Sequence, residues 1–176
     1  MIKKKLVLIT FLFTFQLYGK QTPTPCSQDG MVCIGMDLET LKSKYPNAAF
    51  NSVAMYSYGY DSDETGIEII LNGDVYFFVN VNIKNKITGI SFVSPTFEFN
   101  GISTETTIGD IFKKYPESIL YIDLISDWEY IYIKEEAILL NFQTNESNRI
   151  GIYGEDIEDG TKNIKRKNAK ISLISL

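Results

Sequence analysis

Two stretches of the chain carry apolar residues at the spacing of a short amphipathic helix, and they match each other about 70 residues apart. In each stretch the apolar residues stand at i, i+3 and i+7, which places them on one face of a helix. A polar residue before each stretch is suited to cap the helix, and a Tyr-Pro pair ends it because the residue before proline avoids helical geometry. The matched pairs are Asp37 with Thr107, Leu38 with Ile108, Leu41 with Ile111, Tyr45 with Tyr115 and Pro46 with Pro116.

Extended segments follow each predicted helix in the same order. The Asn72-Gly73 pair between two of them is a strong hairpin signal. The first set covers residues 49–60, 66–71, 74–82 and 87–93, the second covers 118–125, 129–133, 137–143 and 149–153, and residues 171–176 are expected to pair as an edge strand. We therefore predict an α+β fold of two tandem repeats, residues 34–97 and 98–176, each a short helix followed by about four antiparallel strands. The strands should form one sheet with the helices on one face.

The first repeat contains an insertion that the second lacks. The spacing between matched positions falls from about 70 residues at the helices to about 62 at the later strands, so about eight extra residues lie within 56–65. A repeat retains what the fold needs, so a segment that one copy has alone is a candidate for function. The alternative is a longer solvated hairpin, since loops tolerate added length. The candidate partner-binding residues in the insertion are Tyr56, Tyr58, Tyr60, Asp61, Asp63 and Glu64.

The predicted strand register places large aromatic side chains on the face of the sheet away from the helices. A two-residue turn at Asn72-Gly73 sets Ile69 opposite Tyr76, and a turn at Lys134-Glu135 sets Ile131 opposite Ile138. The other face then carries the remaining candidate residues, which are Phe77, Trp128, Tyr130 and Tyr132. Tyrosine and tryptophan are large, rigid and tipped with a hydrogen-bond donor, which suits binding of a protein partner. The alternative is that these rings form the core under a second layer.

Composition and charge narrow the available chemistry. The formal net charge of −5 argues against binding to nucleic acid, because nucleic acid is negatively charged and binds to basic patches. The absence of histidine excludes Ser-His-Asp and Cys-His catalysis and histidine-based metal sites. We therefore expect a protein that is not an enzyme and takes no cofactor or metal. Residues 61–66 resemble the opening of a calcium loop, although Asn72 stands where such a loop has its bidentate glutamate, and calcium binding there is kept as an alternative.

The first residues have the pattern of an export signal. Three lysines precede an apolar run, residues 6–17, that is too short to cross a membrane, and Gly19 suits cleavage. Residues 1–19 are therefore predicted to be a signal peptide, with an uncleaved membrane anchor as the alternative. Export to the periplasm or the medium places the linker and disulfide loop, residues 20–33, in an oxidising compartment. There Cys26 and Cys33 are expected to form a disulfide rather than a metal or redox pair.

The helix-plus-sheet pattern resembles the beta-lactamase inhibitor protein-like fold, which is related to envelope domains of the SmpA/OmlA type. The residues that carry the resemblance are Gly35, Met36, Leu38 and Leu41 in the first copy and Ile108, Ile111 and Tyr115 in the second. The resemblance implies two units side by side whose concave aromatic face grips another protein. The expected function is that of an inhibitor or immunity protein that blocks an enzyme or toxin. A structural or assembly domain of the cell envelope is the alternative, and a module that binds a small molecule or calcium is a third.

Overall fold

The computed structural model of the protein describes residues 26, 27, 30–60 and 64–176, and the predicted signal peptide lies outside them. The first half of this part of the chain contains α1 (Leu38–Lys44), β1 (Ala49–Ala54), β2 (Thr65–Leu71), β3 (Asp74–Val81) and β4 (Ile87–Phe92). The second half contains α2 (Ile108–Lys114), β5 (Tyr121–Ile122), β6 (Glu129–Ile133), β7 (Ile138–Phe142) and β8 (Leu173–Ser175). Short 3₁₀ helices cover Met55–Tyr58 and Ile157–Asp159. No helix among the described residues is long and apolar enough to cross a bilayer.

The strands of this part of the chain form one antiparallel sheet of eight, in the order β1-β2-β3-β4-β8-β7-β6-β5. The predicted α+β class and single antiparallel sheet are therefore confirmed. The last strand, β8, joins the two halves by pairing with β4 on one side and β7 on the other. The prediction that residues 171–176 form an edge strand is wrong, because their strand lies at the centre of the sheet.

The predicted strand at 149–153 is also wrong, because these residues lie outside the sheet and make only an isolated bridge from Gly151 to Ile164. The reason is a competing acceptor. The carboxylate of Glu129 accepts hydrogen bonds from the backbone N–H groups of Ile150 and Gly151, at 2.6 and 2.7 Å. Those donors are therefore not offered to a neighbouring strand. The position beside β7 is left to β8.

One side of the sheet, which we call the core face, packs with both helices. The pairs Phe77–Phe92 and Leu140–Ile174 lie on it, because directly opposite residues of antiparallel strands project to the same side. The buried helix residues Leu38, Leu41, Ile108 and Ile111 belong to the same hydrophobic cluster as these strand residues. The opposite side, which we call the second face, carries the row Glu68, Phe78, Ser91, Ser175, Leu139 and Tyr132 across the sheet.

A bulge corrects the predicted register of the first hairpin. The register shifts between Ile69 and Ile70, so Ile69 pairs with Phe77 and not with Tyr76. A shift of one residue moves a side chain to the other side of a sheet. Phe77 consequently lies on the core face and is fully buried. Its predicted role as a partner-binding residue is wrong, and Phe78 occupies the second face instead.

The second hairpin has a different turn and register from those predicted, but its side chains lie on the predicted faces of the sheet. Its turn uses the four residues 134–137, with Ala137 at a φ of 53°, rather than a two-residue turn at Lys134-Glu135. Ile131 therefore pairs with Leu140 instead of Ile138. A shift of two positions preserves the alternation of a strand, so Tyr130 and Tyr132 still lie on the second face.

The predicted disulfide between Cys26 and Cys33 is confirmed, with the two Cα atoms 4.0 Å apart. It closes a turn that carries the fully buried Val32 into the core. Of the predicted helix caps, the Thr107 side chain accepts a hydrogen bond from the Asp110 N–H at 3.2 Å. Asp37 makes no such bond and instead forms an ion pair with Lys86 at 2.8 Å.

Candidate functional site

A groove of about 480 Å³ lies on the second face of the sheet. One wall belongs to residues 55–60, which we call the tyrosine loop. The other belongs to residues 123–128, which we call the β5–β6 turn. The floor comes from Tyr130, Leu139, Asn141 and Ser175 on β6, β7 and β8. Residues far apart in the sequence are therefore brought to one surface.

The tyrosine loop is fastened to the second face by Tyr58. Its ring stacks on Phe78 with the centroids 4.4 Å apart, and its hydroxyl donates to Glu68 Oε1 at 2.6 Å. Phe78 is fully buried as a result, although α1 and α2 pack on the opposite face of the sheet. Gly66 makes this packing possible, because a Cβ atom there would lie 2.2 Å from the Phe78 ring. The loop therefore acts as a partial second layer on the first half of the sheet.

A row of hydroxyl groups continues from the tyrosine loop across the centre of the sheet. The hydroxyl of Tyr60 lies 2.9 Å from that of Ser91, which lies 3.0 Å from the hydroxyl of Ser175. The side-chain amide of Asn141 donates to Ser175 Oγ at 3.3 Å. Since Ser91 is on β4 and Ser175 on β8, the row bridges the two halves of the sheet. It gives the groove a polar floor within otherwise apolar surroundings.

The two walls of the groove meet where Trp128 packs on Gly59. A Cβ atom placed on Gly59 would lie 2.8 Å from Trp128 Cε3, so the indole ring rests against a residue that has no side chain. Gly59 also ends the 3₁₀ helix with a φ of 78°, in the left-handed region that favours glycine. Both requirements make Gly59 a poor site for substitution.

The β5–β6 turn is held by its own polar residues. Asp123 Oδ1 accepts the backbone N–H of Ile125 at 2.9 Å, and the Asp123 N–H donates to the Trp128 carbonyl at 2.8 Å. These bonds present Leu124 and Ile125 at the tip of the turn. Their side chains are 58% and 73% exposed, high values for large aliphatic residues beside an aromatic groove.

The groove is lined by neutral aromatic side chains and an acidic residue. Burial raises the pKa of Tyr58, with further contributions from the hydrogen bond to Glu68 and its charge. Burial also raises the pKa of Tyr130, helped by the nearby charge of Asp123. Both phenols are therefore neutral near pH 7. Among the described residues that line the groove, none is lysine or arginine, and Asp123 supplies a negative charge.

The structure brings together four of the predicted site residues, Tyr58, Tyr60, Trp128 and Tyr130. Tyr56 is 69% exposed but does not line the groove. Glu64 is also exposed, and its carbonyl accepts the Met55 N–H at 3.0 Å. Tyr132 lies farther along β6 and lines a separate hollow with Tyr121 and Lys134. Phe77 is in the core, and the predicted residues Asp61 and Asp63 lie outside the described part of the chain.

Sequence reasoning missed the residues of the β5–β6 turn. It assigned residues 118–125 to one extended segment, whereas β5 ends at Ile122. A signal was present, because Leu124 and Ile125 are flanked by the turn-forming residues Asp123 and Ser126. Asn141 and Ser175 could not be found in this way, since only the pairing of β8 with β7 brings them together.

A second polar cluster, around the fully buried Glu129, lies apart from the groove. Besides the two backbone donors described above, its carboxylate accepts the Tyr153 hydroxyl at 2.8 Å. Burial, followed by this hydrogen bond, raises the pKa of Tyr153. Nearby, Arg149 pairs with Asp127 at 2.9 Å. The cluster ties the segment that precedes β8 to the end of the sheet, and its acceptor oxygens are occupied, which indicates a structural role.

No group of three or more Asp, Glu or Cys side chains suited to a metal ion occurs within residues 26, 27, 30–60 and 64–176. The loop with a calcium-like spacing lies partly outside that part of the chain, because Asp61 and Asp63 are not described.

No family model matches the chain, and no curated protein matches it. A similar solved structure is that of YfeY, an uncharacterized protein of Escherichia coli. It superposes with a TM-score of 0.51 at 11% sequence identity, over 81% of this chain and 88% of that one. At this identity the similarity concerns the fold alone.

Proposed function

We propose that this chain is an exported, non-enzymatic domain that binds another protein at the groove and blocks it, as an inhibitor or immunity protein does. The observation that carries the proposal is the pair of exposed aliphatic side chains, Leu124 and Ile125, at the rim of an aromatic groove. Side chains of this kind are favoured on a surface when a partner covers them. Trp128 and the tyrosines beside them are the residue types that dominate binding energy at interfaces.

The free energy available from burying these two side chains supports a protein partner. Covering a large aliphatic side chain contributes roughly 1.5–3 kcal/mol when it passes from full exposure to full burial. Because Leu124 and Ile125 are already partly covered, their joint contribution is about 2–4 kcal/mol, comparable to a binding hot spot. The aromatic groove beside them would add to this.

The proposal of export to the periplasm or the medium is supported by the disulfide between Cys26 and Cys33, a bond that persists in oxidising compartments. The net charge of −5 suits a partner with a basic cleft, since opposite charge speeds encounter.

We also propose that the two halves are tandem repeats of the beta-lactamase inhibitor-like unit, residues 34–97 and 98–176. Equivalent contacts recur in both. Lys44 Nζ donates to the Gly30 carbonyl at 3.1 Å, and Lys114 Nζ donates to the Asn100 carbonyl at 2.5 Å. The residue before each helix makes an isolated bridge with a lysine, Asp37 with Lys86 and Thr107 with Lys170.

On this proposal Lys170 corresponds to Lys86. Lys86 directly precedes β4, and Lys170 lies three residues before β8. On this proposal β8 is the fourth strand of the second repeat. The residues between β7 and β8 are then an insertion of that repeat, which accounts for the wrong strand prediction at residues 149–153.

The test is a capture experiment with the tagged chain, from residue 20 onward, in the medium and envelope extracts of the source cells. Wild type is compared with Leu124→Ser/Ile125→Ser. Ile83→Ser is the matched control, because Ile83 is a 99% exposed aliphatic residue that does not line the groove. The proposal expects a soluble hydrolase or toxin to be captured by wild type and the control, lost with the double variant, and inhibited by the wild-type chain.

Equal capture by all three chains would show that the partner binds elsewhere. Capture of membrane assembly proteins by all three would favour the envelope-domain alternative and contradict the inhibitor proposal.

A further inference from the structure

The residues that line the groove indicate what kind of chemical group the groove binds. Its described lining combines the rings of Tyr58, Tyr60, Trp128 and Tyr130 with the carboxylate-bearing residue Asp123. None of the described lining residues carries a positive charge. The face of an aromatic ring is electronegative, so such a lining attracts a cation.

The rings are held in place before any ligand arrives. Tyr58 has one face stacked on Phe78, which leaves its other face turned away from the sheet. Tyr130 is stacked on Tyr121 with centroids 5.6 Å apart, and Trp128 is positioned against Gly59. A ligand therefore meets rings whose conformational entropy has already been lost, which favours affinity.

Asp123 is positioned by the turn that it caps. Its Oδ1 accepts the Ile125 N–H at 2.9 Å, and its charge acts on the Tyr130 phenol. Within the described part of the chain, the backbone N–H groups of Ile125 and Ser126 both donate to the same carboxylate oxygen, Oδ1. One carboxylate beside several rings, in a groove of about 480 Å³, has room for a planar guanidinium or an ammonium group.

We propose that the groove binds a single cationic side chain of the partner protein, an arginine or a lysine, through its aromatic rings and the Asp123 carboxylate. This inference rests on the proposed protein-binding function and names the group that the partner inserts. Guanidinium is the better fit of the two, because it is weakly hydrated and stacks on aromatic faces. Leu124 and Ile125 would then contact the apolar surface around that side chain.

Trp128 is the chain's single tryptophan, so its fluorescence reports on the groove directly. The probes are three capped tripeptides with a central arginine, lysine or citrulline, titrated into the chain at millimolar concentrations. Citrulline has nearly the shape of arginine without its charge. We expect a saturable change of Trp128 emission with arginine, a weaker one with lysine and none with citrulline.

Asp123→Asn is the informative variant, because the amide oxygen can still accept the Ile125 N–H while the charge is removed. We expect about three- to fivefold weaker binding of the arginine peptide, the size of an exposed charge pair. Glu135→Gln removes a carboxylate that does not line the groove and is expected to leave binding unchanged. Equal binding of arginine and citrulline, or no saturable change with any peptide, would overturn the inference.

The result separates this inference from the proposed function. If a protein is captured through Leu124 and Ile125 but the arginine peptide does not bind, protein binding stands and the cation site falls. If the arginine peptide binds but no partner is lost with the double variant, the cation site stands and the proposed function falls. Choline, a small cation, is titrated in the same way as a fourth probe. A saturable response to choline and to neither charged peptide would reassign the groove to a small molecule and overturn the inference.

Discussion

Replacing Gly59 by alanine should undo the contact that joins the two walls of the groove. Gly59 has a φ of 78°, where a non-glycine residue costs about 1 kcal/mol. The added Cβ atom would also lie 2.8 Å from Trp128 Cε3, and overpacking of this kind costs about 1–3 kcal/mol. The free energy of unfolding should therefore fall by about 2–4 kcal/mol. This loss cannot exceed the free energy with which the tyrosine loop packs on the sheet, because the loop would then detach and the clash with Trp128 would disappear.

Gly73 provides a matched control for the backbone part of this effect. It has a φ of 90°, but a Cβ atom there would meet nothing within 4 Å. Gly73→Ala should therefore cost only the backbone contribution, about 1 kcal/mol. The difference between the two variants measures the contact with Trp128.

The assay is urea unfolding followed by far-UV circular dichroism, together with the emission spectrum of Trp128 in the folded state. Gly59→Ala should shift the emission to longer wavelength, because the indole ring moves into water, whereas Gly73→Ala should leave it unchanged. In a Trp128→Ala background, Gly59→Ala should cost no more than Gly73→Ala. Equal costs for the two glycine variants in the wild-type background, with unchanged emission, would refute the contact.

Two further predictions concern buried polar groups. Glu129→Ala should lower the free energy of unfolding by about 3–5 kcal/mol in the same urea unfolding experiment. It leaves the N–H groups of Ile150 and Gly151 and the Tyr153 hydroxyl without their acceptor. Glu129→Gln should lower the free energy of unfolding by less. Stability should also fall at alkaline pH, because the folded pKa values of Tyr58 and Tyr153 lie above the unfolded value of 10.0. Their contribution is complete below pH 10 and is lost as the pH rises through the folded pKa values.

The controls for these two predictions are Glu135→Ala, at an exposed carboxylate on the 134–137 turn, and Tyr56→Phe, at an exposed phenol. Neither should move the measured quantity. A cost below about 1 kcal/mol for Glu129→Ala would show that water can replace the carboxylate. For the alkaline prediction, Tyr58→Phe and Tyr153→Phe should flatten the loss of stability above pH 10. An unchanged slope would contradict the half-buried placement of both phenols.

Much of the fold could be predicted from local pattern. The helices begin and end where the spacing of Leu38 and Leu41, and of Ile108 and Ile111, together with the Tyr-Pro pairs, placed them. The hairpin at Asn72-Gly73 forms at the predicted turn, with both residues in the left-handed region. These features depend on neighbours within a few residues, so the sequence pattern is sufficient to predict them.

The errors arose where a distant group competes with local preference. Phe77 was assigned to the wrong face because a bulge of one residue is invisible in an alternating pattern of Ile, Tyr and Phe. Residues 149–153 look like a strand, but the carboxylate of Glu129 takes their backbone donors. The remaining position in the sheet goes to β8, more than 80 residues from its partner β4 in sequence, at Ser175 and Ser91.

What the sequence determined by itself is the two short helices, the hairpin at Asn72-Gly73, the pairing of Cys26 with Cys33 and the aromatic residue types on the second face. What only the tertiary structure decided is which of those residues meet. Tyr58 and Trp128 share a groove because the tyrosine loop packs on Phe78, and this packing brings Gly59 of the loop against the indole ring of Trp128. The physical reason is that helix and turn formation depend on neighbouring residues, whereas a site is made by contacts between residues far apart in the chain.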